Sequence, residues 1–495
     1  SALSTTQTSI FGTEQINALT TNQFRNLSTA QLVSFNSTQF GEFDTTDLGA
    51  LSTLQILGLG TAPISYLATA QLIGLGTSQL QALATTQLQT LSTLNVAALS
   101  TAQFASLSTS QLANLLTSQI MALTNDQIDT LDAAEITKLV TDQIKALSTS
   151  QLDGLSTYQI SSLTTDQVRA LCSSQLLELS DDQLVALTTA QIAALQTKQI
   201  NTLSTHQITA IETVDLASLS TNQIQALDTA QIGALSVTQL GNLTTRQVAS
   251  LTVTQIMGLS GDQLETLGTA YFSNLTTVQL QALTSTQVAS MTTTQLAYLK
   301  TDQFSTILTS QITALTTDQI IALTATQFGA LITSQLLVFS TDQIASIETN
   351  DISALVTANI AGLTSSQLIA FSADQIDALN TNQLRSLTAR QISSLIEAQV
   401  QTLSTQALSA LQTTQIQALL SGQVAWLDTE QLASLSTDQL ITITTSQIEA
   451  LSDAQIAGLT TKQISSLTTR QVLALNTYQL QALETEDFER LTTSQ

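Results

Sequence analysis

One period governs this chain. Counted from Leu3, a large apolar residue returns every eighth position as far as Leu491, through 62 octads with no insertion or deletion, the last cut short at Gln495. A period this strict means that a single supersecondary unit is stacked many times, with stability summed over units and the interfaces between them. A chain of 495 residues would ordinarily hold two to four domains. The unbroken register instead predicts one continuous octad array over 1–495, without separate domains.

The constraints inside the octad identify the unit. With Leu3 at position one, position two is Ser, Thr, Asp, Asn or Gly in 46 octads, position three is Thr in 46 and position five is Gln in 52. Position six is Ile, Leu, Val or Phe except at Thr8, position eight is mostly Ala, Ser or Gly, and positions four and seven vary freely. A hydroxyl or Asx residue three places before Gln is the capping box of a helix start, and the apolar residues at positions one and six are its hydrophobic staple. At about 100° per residue, positions five, six, eight and the next position one share an arc, and three, four and seven share the other. Acids collect at position four (Asp126, Asp142, Asp166, Asp302, Asp318, Asp342), in the first turn where they suit the helix dipole. The prediction is an all-α repeat solenoid, a superhelix of 62 short capped helices of about one and a half turns. Helices this short need their neighbours to form at all. The alternative is a β-solenoid, since Thr and Ile favour strands. It would need a bend in every octad, and 17 Gly and one Pro are too few turn residues for that. Thr at position three remains an alternative to position two as the helix cap.

Composition excludes several functions. The net charge is −24, from 36 acids against 12 bases, which disfavours nucleic acid and anionic membrane surfaces. No apolar run reaches about 18 residues, so no membrane insertion is expected. One cysteine, Cys172, precludes an intrachain disulfide. One histidine, His206, at an exposed position four, leaves neither a His/Cys zinc cluster nor the base of a catalytic triad. Paired acids such as Asp181 and Asp182 lie on a polar stretch without the burial that tunes a general acid. Scattered Asp residues could hold Ca²⁺ weakly, but no loop gathers five or six oxygens. No catalytic, cofactor or metal site is expected, and the chain is not expected to be an enzyme.

Cys172 reads as a small-residue replacement at position two. Tyr66, Tyr298 and Trp426 replace Ala at position eight and read as local packing. Pro63 replaces Gln at position five, in a first turn where a missing N–H matters least.

The unit Leu315–Leu323 (Leu-Thr-Thr-Asp-Gln-Ile-Ile-Ala-Leu) resembles the first helix of TAL-effector repeats. Those repeats are much longer and carry a base-reading loop with no counterpart here. The array as a whole resembles the Thr/Ala/Gln-rich tracts of large secreted or surface-attached bacterial proteins, among them adhesins and S-layer or filament proteins. That resemblance implies an extracellular or cell-surface structural role: a fibre, stalk, sheath or adhesin shaft that self-associates. The chain starts and stops within the repeat, with no capping octad, as expected for a processed piece or for head-to-tail stacking. The alternatives are a scaffold binding a protein or glycan partner, and an ice- or mineral-binding Thr array.

Overall fold

The computed structural model describes residues 2–493 and 495. They form 61 helices of four to six residues, from Thr5–Ser9 to Thr485–Arg490, and no strand among the described residues. The all-α repeat prediction holds and the β-solenoid does not. Contacts divide the chain into two compact units, Ser1–Leu251 and Thr252–Gln495, while the octad register in the sequence continues without a shift.

Every helix starts at position three, so position two is the cap. In the octad of Thr188, the Thr188 side chain accepts from Gln191 N, and Gln191 Oε1 accepts from Thr188 N at 2.7 Å. Where position two carries no hydroxyl or Asx side chain, half of the box persists: Ala68 N still donates to Gln71 Oε1 at 2.8 Å. Leucines and isoleucines of positions one and six are buried, as Leu187, Ile192 and Leu195 illustrate. Thr8, the polar exception at position six, is fully buried and spends its hydroxyl on Ser4 O, Thr5 O and Ser34 Oγ.

Within each unit, a helix packs chiefly on the third helix before it and the third after it. Three octads, 24 residues, therefore make one coil. This stacking explains why positions three and eight vary so little. A Cβ built on position-eight Gly58 would meet Thr29 Cγ2 at 2.4 Å, and one on Gly362 would meet Thr333 Cγ2 at 2.5 Å. Position eight lies on the position-three Thr of the coil below, so small side chains predominate there.

Glutamine does more than cap. The Gln127 amide accepts from Thr124 N at 3.0 Å and donates through Nε2 to Leu99 O at 2.8 Å and Val96 O at 3.0 Å in the coil below. One coil on, Gln151 accepts from Ser148 N at 2.8 Å and donates to Leu123 O at 2.7 Å. Leu123 C=O and Thr124 N–H belong to the same peptide group. Where both glutamines are present, the linker peptide is thus held from above through its carbonyl and from its own coil through its N–H. The ladder continues through Gln175, Gln199, Gln223 and Gln247. In the second unit, Gln287, Gln311 and Gln335 repeat it. Which amide end is N and which is O is fixed by the partners, since a peptide N–H can only donate and a carbonyl only accept. Buried backbone groups must be paired somewhere; here a side chain pairs those that the helices leave free.

The fold registers the one proline locally. Pro63 is buried and makes no such bonds, and its cap residue Gly60 takes φ 73, ψ −171, the only positive φ among the described residues. Only glycine adopts that region readily. Gln87 above then donates to Gly60 O at 3.1 Å, one residue beyond the usual linker carbonyl.

Candidate functional site

Because positions one, five and six are buried and position eight is mostly half-buried, chemistry available to a partner comes chiefly from positions two, three, four and seven. The octad Leu187–Ala194 shows the division: Thr188, Thr189, Ala190 and Ala193 are exposed and the rest buried. Among the described residues no group of three or more His, Cys, Asp or Glu could hold a metal ion, and no helix is long and apolar enough to cross a membrane.

The residues singled out in the sequence are dispersed. His206 Nε2 lies 2.9 Å from Asp181 Oδ2, linking position four of one coil to position three of the coil below. Both side chains are largely exposed, so the contact adds little stability. Asp182 does not join it in an ion pair. Tyr66 rests its ring 6.2 Å from that of Phe40, which is local packing. Tyr298 is exposed and Trp426 half-buried, and the two lie in separate octads. Cys172 is exposed and caps Ser173–Leu177 from position two. Partial burial pushes its thiol up. The Ser174 hydroxyl and the backbone amides of Gln175, Ser174 and Cys172 outweigh that and leave the thiol below its ordinary value.

The sequence reading missed the arrangement of the bases. Arg25, Lys145 and Arg169 all occupy position seven, separated by whole multiples of the 24-residue coil, and Lys198 and Arg246 occupy position four of the following octad in the same way. Both slots border one edge of the solenoid, where one coil ends and the next begins. Five of the six bases in the first unit lie there. A period of 24 in the charges, on top of the period of eight in the core, was the available signal. From Lys145 to Arg246 these two slots hold no acid. In the second unit Arg385, Arg390 and Lys462 occupy the equivalent slots, but Asp318, Asp342 and Asp438 alternate with them.

At this edge lies an open groove of about 840 Å³, bordered by Lys145, Arg169, Lys198, Asp166 and Cys172. Arg169 Nε donates to Ala194 O at 3.0 Å, which braces the guanidinium across the groove. Lys145 and Arg169 approach Asp142 and Asp166 at 3.8 and 3.7 Å, in exposed (i, i+3) contacts, weak enough for an incoming anion to compete. Lys198 has no ion-pair partner among the described residues.

Comparison with known families adds one finding. Part of the chain matches the ALTTAQ repeat. The matching segments are residues 136–173, 165–197, 178–210, 208–245, 344–381, 424–461 and 432–469, which together cover less than half of the chain. The ALTTAQ string itself stands at Ala186–Gln191, running from position eight to the glutamine at position five. The longest ALTTAQ-like stretch, 136–245, contains the groove and three of the five bases of its edge. No curated protein matches the chain. A solved structure titled APUM23-GGAAUUGACGG aligns over 97% of this chain and 93% of that one, at 11% identity and a TM-score of 0.14. Similarity at that level carries no argument about fold or function.

Proposed function

We propose that the chain is a non-catalytic architectural repeat protein of the extracellular space or cell surface, serving as a shaft or spacer that presents its lateral face to partners. The observation that supports this reading is the glutamine ladder. The same side-chain bonds recur coil after coil in both units, so the sequence is committed to continuing the stack and sets no segment aside for chemistry. Ladders of this kind hold neighbouring coils at fixed spacing, a property a spacer needs and a flexible linker lacks. The surface resemblance to secreted Thr/Ala/Gln-rich tracts points the same way. Self-association through stacked ends is part of the proposal.

Electron microscopy with light scattering over a concentration series tests it. Elongated particles that lengthen with concentration are expected. A compact particle removes the shaft, and a particle that stays monomeric at every concentration removes the filament. Protease accessibility on intact source cells tests the location, with protection of the chain counting against the surface assignment.

A further inference from the structure

We propose that the groove over Lys145, Arg169 and Lys198 is a docking site for an acidic polysaccharide, a sparsely charged chain bearing carboxylate or sulfate groups and lying along the solenoid axis. Three observations select this ligand class. The first is the order of the cations. Lys145, Arg169 and Lys198 stand at three successive coil junctions, and Arg246 continues the same edge two coils further on. Packed helices lie about 8–10 Å apart, so the edge offers roughly one positive charge per coil in a line. Such a line matches a polymer with widely spaced anions. A nucleic acid concentrates its charge far more densely. The bases elsewhere do not form such a line: in the second unit acids interrupt the same slots.

The second observation is the lining. Between the cations the groove presents Thr141, Ser173, Ser174 and Gln196, hydroxyl and amide groups that can exchange hydrogen bonds with sugar hydroxyls. It has no aromatic residue on which a base could stack. Its apolar lining residues, Ala170 and Leu171, are buried, so it lacks the exposed apolar side chains on which a lipid or an amphipathic peptide would anchor.

The third is availability. Lys198 is free of ion pairs among the described residues, and the carboxylates beside Lys145 and Arg169 are exposed and displaceable. Arg169 is braced by Ala194 O, so less side-chain freedom is lost when an anion binds. Such binding concerns the lateral surface alone and is independent of whether the array forms a filament.

Cys172 supplies an internal probe, being the only thiol in the chain and part of the groove wall. The experiment titrates the full chain with hyaluronate, which carries one carboxylate per disaccharide, and with a lightly sulfated dextran, using neutral dextran and oligothymidylate as controls, and follows both binding and the rate at which iodoacetamide alkylates Cys172. The acidic glycans are expected to bind at low salt, to slow alkylation several-fold, and to weaken as salt screens the charges. Neutral dextran is expected to do neither. The triple variant Lys145→Gln/Arg169→Gln/Lys198→Gln is expected to lose on the order of tenfold in affinity and to lose the protection of Cys172. Arg385→Gln/Arg390→Gln/Lys462→Gln is expected to change neither. Circular dichroism checks that both variants are folded. The proposal is overturned if neither acidic glycan protects Cys172, if the triple variant keeps that protection, or if oligothymidylate binds as tightly as the glycans.

Discussion

Residues 143–207 and residues 349–362 follow the same octad and are held together differently. In the first stretch every position five is glutamine, and each of these glutamines ties its own linker peptide to the linker carbonyl one coil below. In the second, two successive octads carry Asp351 and Asn359 at that position. Asn359 is too short to span both partners. Its Nδ2 still donates to the linker carbonyl Leu331 O at 2.8 Å, but its Oδ1 accepts from Thr333 Oγ1 at 3.0 Å and leaves its own helix cap. Asp351 has lost the donor as well, and the residue in the place of Thr333 is Ala325, which has no hydroxyl. It is buried without a side-chain hydrogen bond. The contrast separates the two tasks of the glutamine. Asn359 keeps the bond between coils and gives up the cap, whereas Asp351 keeps neither.

The largest effect should come from breaking an intact rung. Gln159 accepts from Ser156 N at 2.8 Å and donates to Leu131 O at 2.9 Å and Ile128 O at 3.0 Å. Gln159→Leu strands these buried groups, at roughly 1–3 kcal/mol for each left unpaired. A local loss of about 3–5 kcal/mol is expected. An array of this kind need not unfold as one unit, so the quantity to measure is hydrogen exchange at the amides of residues 128–163. Exchange there no faster than in the parent chain would refute the bridging role.

Gln159→Glu sharpens the comparison because the two tasks now predict opposite signs. As a helix cap alone, Glu at the third position keeps the capping bond and adds a favourable charge near the helix start, so stability would hold or rise. In a ladder, Glu places a carboxylate oxygen against Leu131 O where a donor stood. A loss of about 2–3 kcal/mol at neutral pH is expected, with partial recovery in acid, where the protonated carboxyl can donate again.

That difference between Gln and Glu marks where sequence reasoning stopped. The cap, the box, the staple, the inward arc and the small residue at position eight were all legible, because each is a local rule with a fixed spacing. A capping box accepts Glu or Gln alike, yet Glu135 is the only Glu at position five among 62 octads. The preference for the amide was the visible trace of a bond to another coil, but reading it requires the 24-residue coil, and an eight-residue period does not by itself give the number of octads per turn. The basic edge was hidden for the same reason: Lys145 and Arg169 become neighbours only once the coil length is known. The uniform Thr at position three, which the sequence left open as a rival cap, is explained by a contact with the coil above.

Repairing a broken rung should give a smaller gain. Asp351→Asn restores a donor toward the linker below and is expected to stabilise by about 1–2 kcal/mol at neutral pH. Its pH dependence follows from the carboxyl it removes. Burial raises the Asp351 carboxyl above its ordinary value, and Glu348 raises it further. Asp47 is likewise raised, by burial first and by Asp44, with the Thr21 hydroxyl opposing. A carboxyl whose folded pKa lies above its unfolded one binds more protons when folded. The stability it contributes is full below the ordinary carboxyl value and is lost as pH rises through the raised one. Asp47→Asn/Asp351→Asn should therefore flatten that part of the stability profile and leave the acid side unchanged. Thermal melts from mildly acidic to neutral pH read this directly, and a double variant with the parent's slope would exclude these two carboxyls as its source.

The smallest effect tests the other half of the box. Leu308, Ile332 and Val356 occupy position two, 24 residues apart, where a hydroxyl would cap the helix, and none has a side-chain cap bond. Their helix starts survive in different ways: Gln311 and Gln335 still hold the N–H groups of Leu308 and Ile332, while Val356 heads the octad of Asn359, which has turned away. A missing cap costs about 1 kcal/mol. Each side chain is 42–52% exposed, so about half of it is shielded by its surroundings, and burying a whole Leu or Ile is worth about 1.5–3 kcal/mol. The two terms nearly cancel. Leu308→Ser alone should change stability by less than about 0.5 kcal/mol. The informative measurement is a double-mutant cycle of Leu308→Ser with Ile332→Ser. If the three side chains stack as an aliphatic column, the first substitution removes part of the shelter of the second and the effects are non-additive. If each merely tolerates a lost cap, the two effects add, and the column is an accident of spacing.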